Sequence, residues 1–155
     1  MIARILSLIA IVTLAVPSMH AQVGTAPAQT HAQRRYFKLP APSQSPVSQA
    51  VLVGDTLFIS GRVGLDPKSG KAPDNLDDEL KNLFDIYKAV LADAGMTMDD
   101  LVYVEVSTSD LSLYDKFNTA YRAQFSRDFP ARGFTGAGSI FRGGHFEMMG
   151  IAVRR

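Results

Sequence analysis

Between Leu76 and Ala94, the residues Leu76, Leu80, Leu83, Tyr87, Val90, Leu91 and Ala94 recur at steps of three and four. That period places them on one stripe of an α-helix, and a helix with a single apolar stripe must bury it against another element. Asp74 or Asn75 can cap the start, Asp77, Asp78 and Glu79 suit the positive helix end, and Gly95 can close the last turn. The flanking segments supply the partner. AVLVGDTLFIS, residues 50–60, sets two apolar runs around Gly54-Asp55, a hairpin signal, and Pro67 and Gly70 mark a further turn. Val102, Val104 and Val106 alternate with Tyr103, Glu105 and Ser107, the pattern of a half-buried strand. A second helix is expected over Ser112–Phe125, with Leu113, Phe117, Tyr121 and Phe125 at steps of four. Two last strands, 133–141 and 145–153, are expected to form a hairpin around Arg142-Gly143-Gly144. The order predicts an α+β fold, one sheet with two helices packed on one face.

The N-terminus reads differently. Arg4 is the only charged residue before Arg34, and Ile5–Val16 is almost wholly apolar. As a helix this run covers roughly 18 Å, short of the ~30 Å hydrocarbon core of a bilayer. A positive start, a short apolar run, Pro17 and then small or polar residues describe a secretory signal peptide over 1–21, cleaved after Ala21. Residues 22–35 are polar and small without a period, and read as a flexible linker, so the domain is expected over 36–155. A periplasmic or secreted protein without stable membrane association is the expectation.

Of 155 residues none is cysteine, which excludes disulfide frameworks, thiol nucleophiles and iron–sulfur ligation, and three histidines make a multi-histidine metal site a poor expectation. The formal charge is +1, and losing Arg4 with the leader brings it to zero. That is far from the basic excess of a nucleic-acid binder, and the doublets Arg34-Arg35 and Arg154-Arg155 have no interleaved aromatic platform.

Polar residues that interrupt apolar patterns are the candidates for chemistry. Arg132 follows Pro130-Ala131 where a strand begins, and Glu147 interrupts FEMMGIAV. An arginine fork can anchor a small organic acid, and a carboxylate in a partly apolar pocket can hold a proton or position water. The plainer alternative is that the two pair with each other or with solvent. Ser60-Gly61-Arg62-Val63-Gly64 follows an apolar strand, and its glycines allow close backbone approach. It has neither the spacing nor the following helix of a nucleotide-binding loop. His145 reads as a satisfied or exposed histidine at a turn.

Taken together, LFISGRVGLDPKSG, the helix end LADAG, VYVEVSTSDL, FPARG and FEMMGIAVRR resemble the Rid (YjgF/UK114) family, from about Pro40 to Arg155. The resemblance implies a chorismate-mutase-like fold, a homotrimer with clefts between subunits, and hydrolysis of reactive enamines and imines such as 2-aminoacrylate to a keto acid and ammonia, without metal or organic cofactor. It further implies that Arg132 binds the substrate carboxylate, that Glu147 positions or activates water, and that Ser60, Gly61 and Asn118 lie beside the ligand, with the backbone at Phe134 orienting it. Val47 and Phe134 stand where clear deaminases of the family carry a Tyr and a small residue. Arg62 replaces a frequent Gln and is expected to add a positive charge near the pocket mouth. Those departures leave a non-catalytic, small-carboxylate-binding trimer as the alternative to an exported imine deaminase. Ribonuclease activity, attached to some relatives, is disfavoured by the neutral mature charge.

Overall fold

A computed structural model describes residues 32–39 and 44–155. The expected leader and most of the expected linker lie outside the described residues. Six strands and two α-helices follow in the order β1 (Arg34–Lys38), β2 (Ser48–Val53), β3 (Thr56–Val63), α1 (Leu76–Asp93), β4 (Leu101–Thr108), α2 (Tyr114–Arg122), β5 (Ala131–Gly136) and β6 (Phe146–Val153). β1 begins at Arg34, two residues ahead of the expected start at Tyr36.

The strands form one mixed sheet in the order β1-β2-β3-β6-β4-β5. The expected β5–β6 hairpin does not form. β5 instead pairs parallel with β4, from Tyr103↔Ala131 to Thr108↔Gly136, and β6 runs antiparallel between β3 and β4. The reason is the connection through α2, because a crossover of that length returns the chain beside β4 in the parallel sense. Residues 137–145 then carry the chain back to the sheet centre. Arg142 (φ 55°) and Gly143 (φ 79°) occupy the left-handed region there, and Arg142 Nη1 donates to the Gly70 carbonyl at 2.9 Å.

One face of the sheet is the core. Tyr87, Leu83 and Leu91 of α1, Phe117 of α2, and Leu57, Val104, Val106, Phe146, Met148 and Ala152 of the strands are fully buried together. Tyr87 stitches helix to sheet by donating to the Met148 carbonyl at 2.7 Å. Val102, expected to point inward, is exposed. A shift in register between Leu101 and Tyr103 turns Leu101 into the core in its place. Asn75 caps α1 by accepting from the Asp77 N–H, and Gly95 (φ 73°) follows its end. No basic residue occupies the last turn of α1, but Arg35 and Arg154 reach in from elsewhere to donate to the Asp93 and Ala94 carbonyls.

Glu79 does more than suit the start of α1. It is completely buried and accepts from the N–H groups of His145 (2.7 Å) and Phe146 (3.1 Å), while its other oxygen meets His145 Nδ1 at 2.7 Å. This carboxylate fixes where β6 begins.

Among the described residues no helix covers the opposite face. A row of register partners, Tyr36, Val51, Phe58, Ile151, Tyr103 and Ala131, crosses it from edge to edge. Tyr36, Phe58, Tyr103, Met149 and Val153 leave this face substantially exposed and apolar. Among the described residues no helix is long and apolar enough to cross a membrane.

Candidate active site

Arg132 lies on β5 opposite Val104, so its side chain shares the helix-bearing face. Tyr114, Phe117, Asn118 and Tyr121 follow one another at helical spacing on α2 and meet it there. Arg132 Nη2 donates to Asn118 Oδ1 at 2.7 Å, and Asn118 is itself buried. The guanidinium carbon lies 4.6 Å from the centre of the Tyr121 ring, and 5.6–5.8 Å from those of Phe134, Phe117 and Tyr114. Contacts of this kind fix the plane of the guanidinium, while a single hydrogen bond leaves most of its fork free. Tyr114, Asn118, Tyr121, Arg122, Phe129, Pro130 and Arg132 line a cleft of about 300 Å³ in front of it. A small carboxylate fits that volume and that donor.

Phe134 is not part of the cleft lining. Its ring packs edge-on against Tyr114 at 4.9 Å and against Phe117 at 5.6 Å, behind the arginine. Phe134 therefore supports two of the rings around Arg132 rather than walling the cleft. Arg62 is also elsewhere. It lies opposite Met148 in the β3–β6 pair, half-buried, with its Nε out of solvent and without a hydrogen-bond partner among the described residues. Burial lowers its pKa, with proximity to Tyr87 opposing. The second cation lining the Arg132 cleft is Arg122, one turn beyond Asn118, which the sequence reading missed. Val47 is exposed just ahead of β2, on the far side of the sheet.

Glu147 occupies the other face. It stands between Phe146 and Met148, both fully buried, so alternation directs it away from the helices. β3 carries a bulge between Ile59 and Arg62 that sets Ser60 and Gly61 against this part of β6. The Glu147 carboxylate lies over Gly61, where a Cβ would run into its Oε1 and displace the carboxylate. Ser60 Oγ donates to the Gln49 carbonyl at 3.0 Å. Ser60, Gly61 and Glu147 thus form one group, and Arg132 and Asn118 another. Within one chain they do not meet: they lie on opposite faces with β4 between them, about 10 Å apart at the backbone. The plainer alternative, in which Arg132 and Glu147 pair with each other, is not met within one chain.

A second carboxylate on the helix-free face, Glu105, was unmarked in the sequence beyond its alternation. It accepts from the Tyr103 hydroxyl at 2.5 Å and lies over Gly133. His145 is satisfied, by Glu79. Among the described residues no cluster of three His, Cys, Asp or Glu side chains offers a metal site.

Burial raises the Tyr121 pKa to about 12, with nearby Arg132 opposing, and its hydroxyl has no hydrogen-bond partner among the described residues. An unfolded tyrosine loses its proton near pH 10, so between pH 10 and 12 the folded chain holds the extra proton and stability falls as pH rises. Tyr87, raised by burial in the same direction, adds to that loss. Urea denaturation of Tyr121→Phe should show a shallower alkaline decline than wild type and a change below about 1 kcal/mol at pH 7. An unchanged alkaline slope would contradict it.

Comparison with known proteins now decides the family. The model of the family described as Endoribonuclease L-PSP matches residues 39–154. The chain belongs to that family, the YjgF/Rid family. A Bos taurus relative, named 2-iminobutanoate/2-iminopropanoate deaminase, is 35% identical over 110 residues, which are 70% of this chain and 80% of the relative. The Homo sapiens protein of that name is 32% identical over 114 residues, again 70% and 80% of the two chains. Among solved YjgF/Rid structures, RidA from Psychrobacter superposes with a TM-score of 0.68 at 28% identity, covering 81% of this chain and all of that one. The YjgF gene product of E. coli gives 0.68 at 29% identity, covering 73% and 91%. The six-stranded mixed sheet with two helices is the fold of these relatives.

Proposed function

We propose that the protein hydrolyses small 2-imino acids to 2-keto acids and ammonia, in a cleft completed by a second copy of the chain. The observation that carries this is Arg132, plane-locked by aromatic rings and facing a cleft of about 300 Å³ with most of its fork unused. Relatives 35% and 32% identical over 110 and 114 aligned residues are named for this reaction.

In the reaction, Arg132 holds the α-carboxylate and so fixes the C=N carbon. That carbon is already electrophilic, so one placed water and one proton shuttle suffice. Glu147 takes a proton from the water as its oxygen bonds the imine carbon. The nitrogen receives that proton, giving a carbinolamine; the proton of the new hydroxyl then passes through Glu147 to the same nitrogen, the C–N bond breaks, and ammonia leaves as C=O forms. The backbone at Gly61, beside Glu147, orients the substrate.

Because Arg132 and Glu147 point to opposite faces, the reading requires Glu147 of the partner subunit to face the Arg132 cleft. The exposed apolar face bearing Tyr36, Phe58, Tyr103, Met149 and Val153 supports association of that kind. A closed trimer with chorismate-mutase-like architecture is the assembly we propose.

A second reading, a trimeric module that binds a small carboxylate without turning it over, is favoured by the same separation: one chain offers the anchor without the carboxylate that directs water. Oxidation of alanine by an amino-acid oxidase supplies 2-iminopropanoate, and semicarbazide traps whatever remains. Faster loss of trapped imine with release of ammonia is expected. No rate above buffer from folded protein, with saturable pyruvate binding, would establish the second reading instead.

A further inference from the structure

The Arg132 cleft contains a cation that the proposed hydrolysis does not use. Arg122 ends α2 and lines the cleft together with Arg132. None of the other lining residues, Tyr114, Asn118, Tyr121, Phe129 and Pro130, is acidic. Arg132 has the neutral Asn118 as its hydrogen-bond partner, and Arg122 has no ion pair among the described residues. Two arginines therefore line one space of about 300 Å³ whose lining includes no carboxylate. The dipole of α2 favours a cation at its last turn, but it would do so equally with the side chain turned away from the cleft. Each guanidinium is a planar fork matched to a carboxylate. An anion with two carboxylates can meet both forks.

We propose that Arg122 is a specificity-determining residue and that the preferred substrate is a 2-imino diacid, with its α-carboxylate on Arg132 and its distal carboxylate on Arg122. This rests on the reading of Arg132 as the carboxylate anchor. The rings of Tyr114 and Phe129, both largely exposed, wall the space between the two charges and suit the short methylene chain that joins two carboxylates. A substrate with one carboxylate leaves Arg122 unmatched.

The test compares imines generated in situ from glutamate, aspartate, alanine and phenylalanine by the appropriate oxidases, with wild type, Arg122→Ala and Arg122→Glu. In wild type, kcat/KM for the diacid imines is expected to exceed that for the alanine-derived imine. Arg122→Ala is expected to lower that ratio about ten-fold, mainly through KM, and Arg122→Glu to invert it. A ratio that Arg122→Ala leaves unmoved, or a preference for the phenylalanine-derived imine, overturns the proposal. If no imine is turned over, the hydrolytic reading fails by itself, and calorimetric titration with 2-oxoglutarate and pyruvate decides the specificity. Tighter 2-oxoglutarate binding that is lost in Arg122→Ala supports the assignment of Arg122. Equal binding of the two acids, or none, overturns it.

Discussion

Arg132→Ala chains and Glu147→Gln chains, each inactive alone, are expected to regain activity when assembled together. Alone, each should lose at least about 100-fold in kcat/KM for 2-iminopropanoate, the usual scale for removing a carboxylate anchor or a proton shuttle. In a closed ring of identical interfaces, each site takes its arginine from one subunit and its glutamate from the next. With equal amounts randomly assembled, half of the arginine sides and half of the glutamate sides are intact, so about a quarter of the sites carry both and about a quarter of wild-type activity returns. The two variants are co-expressed with different tags, the mixed assembly is isolated, and its turnover is compared with each parent. A mixed assembly as inactive as its parents would show that Arg132 and Glu147 do not cooperate across an interface.

The sequence made that arrangement partly legible. Arg132 and Phe134 are two apart, so a strand sends them to one face, and Phe134 belongs with the aromatic residues of α2. Glu147 is one step from Phe146 and Met148, which alternation sends to the core. Parity alone thus separates the two faces. What parity does not give is strand order. A Gly-Gly turn between 136 and 146 reads as a hairpin from local signals, and only the pairing of β5 with β4 after the α2 crossover excludes it. Both helices and the inward residues of β4 from Val104 on were readable from periodicity, because burial against a sheet imposes it. The register shift at Leu101–Tyr103 was not, because a bulge obeys pairing rather than alternation. Arg122 escaped notice because an arginine at a helix C-terminus is the ordinary outcome of the helix dipole. Glu79 did so because an acidic residue in the first helical turn is equally ordinary.

Glu79 carries the second large effect. Glu79→Ala is expected to destabilise the fold by about 3–5 kcal/mol, since it strands the buried Phe146 N–H and the half-buried His145 N–H and removes the partner of the His145 ring. For a domain of this size that is a fall in Tm of about 10–20 °C. Glu79→Gln keeps an acceptor for the N–H groups of His145 and Phe146 and should cost about 1–2 kcal/mol. Urea midpoints at constant m-value distinguish the two variants. A Glu79→Ala protein within 1 kcal/mol of wild type would mean that the start of β6 is held by strand pairing alone.

The position of β6 has a consequence for how the chain is made. The strand latest in sequence, Phe146–Val153, occupies the middle of the sheet, hydrogen-bonded to β3 on one side and to β4 on the other. On the ribosome, the β1–β2–β3 ribbon and the β4–α2–β5 unit emerge first, and neither has the strand that joins them. Both expose unpaired edges until residues 146–153 have left the exit tunnel, so the cooperative step of folding waits for β6. Loss of residues 146–153 would leave two open half-sheets, each with a free edge ready to recruit other chains, where loss of β1 would only trim a border.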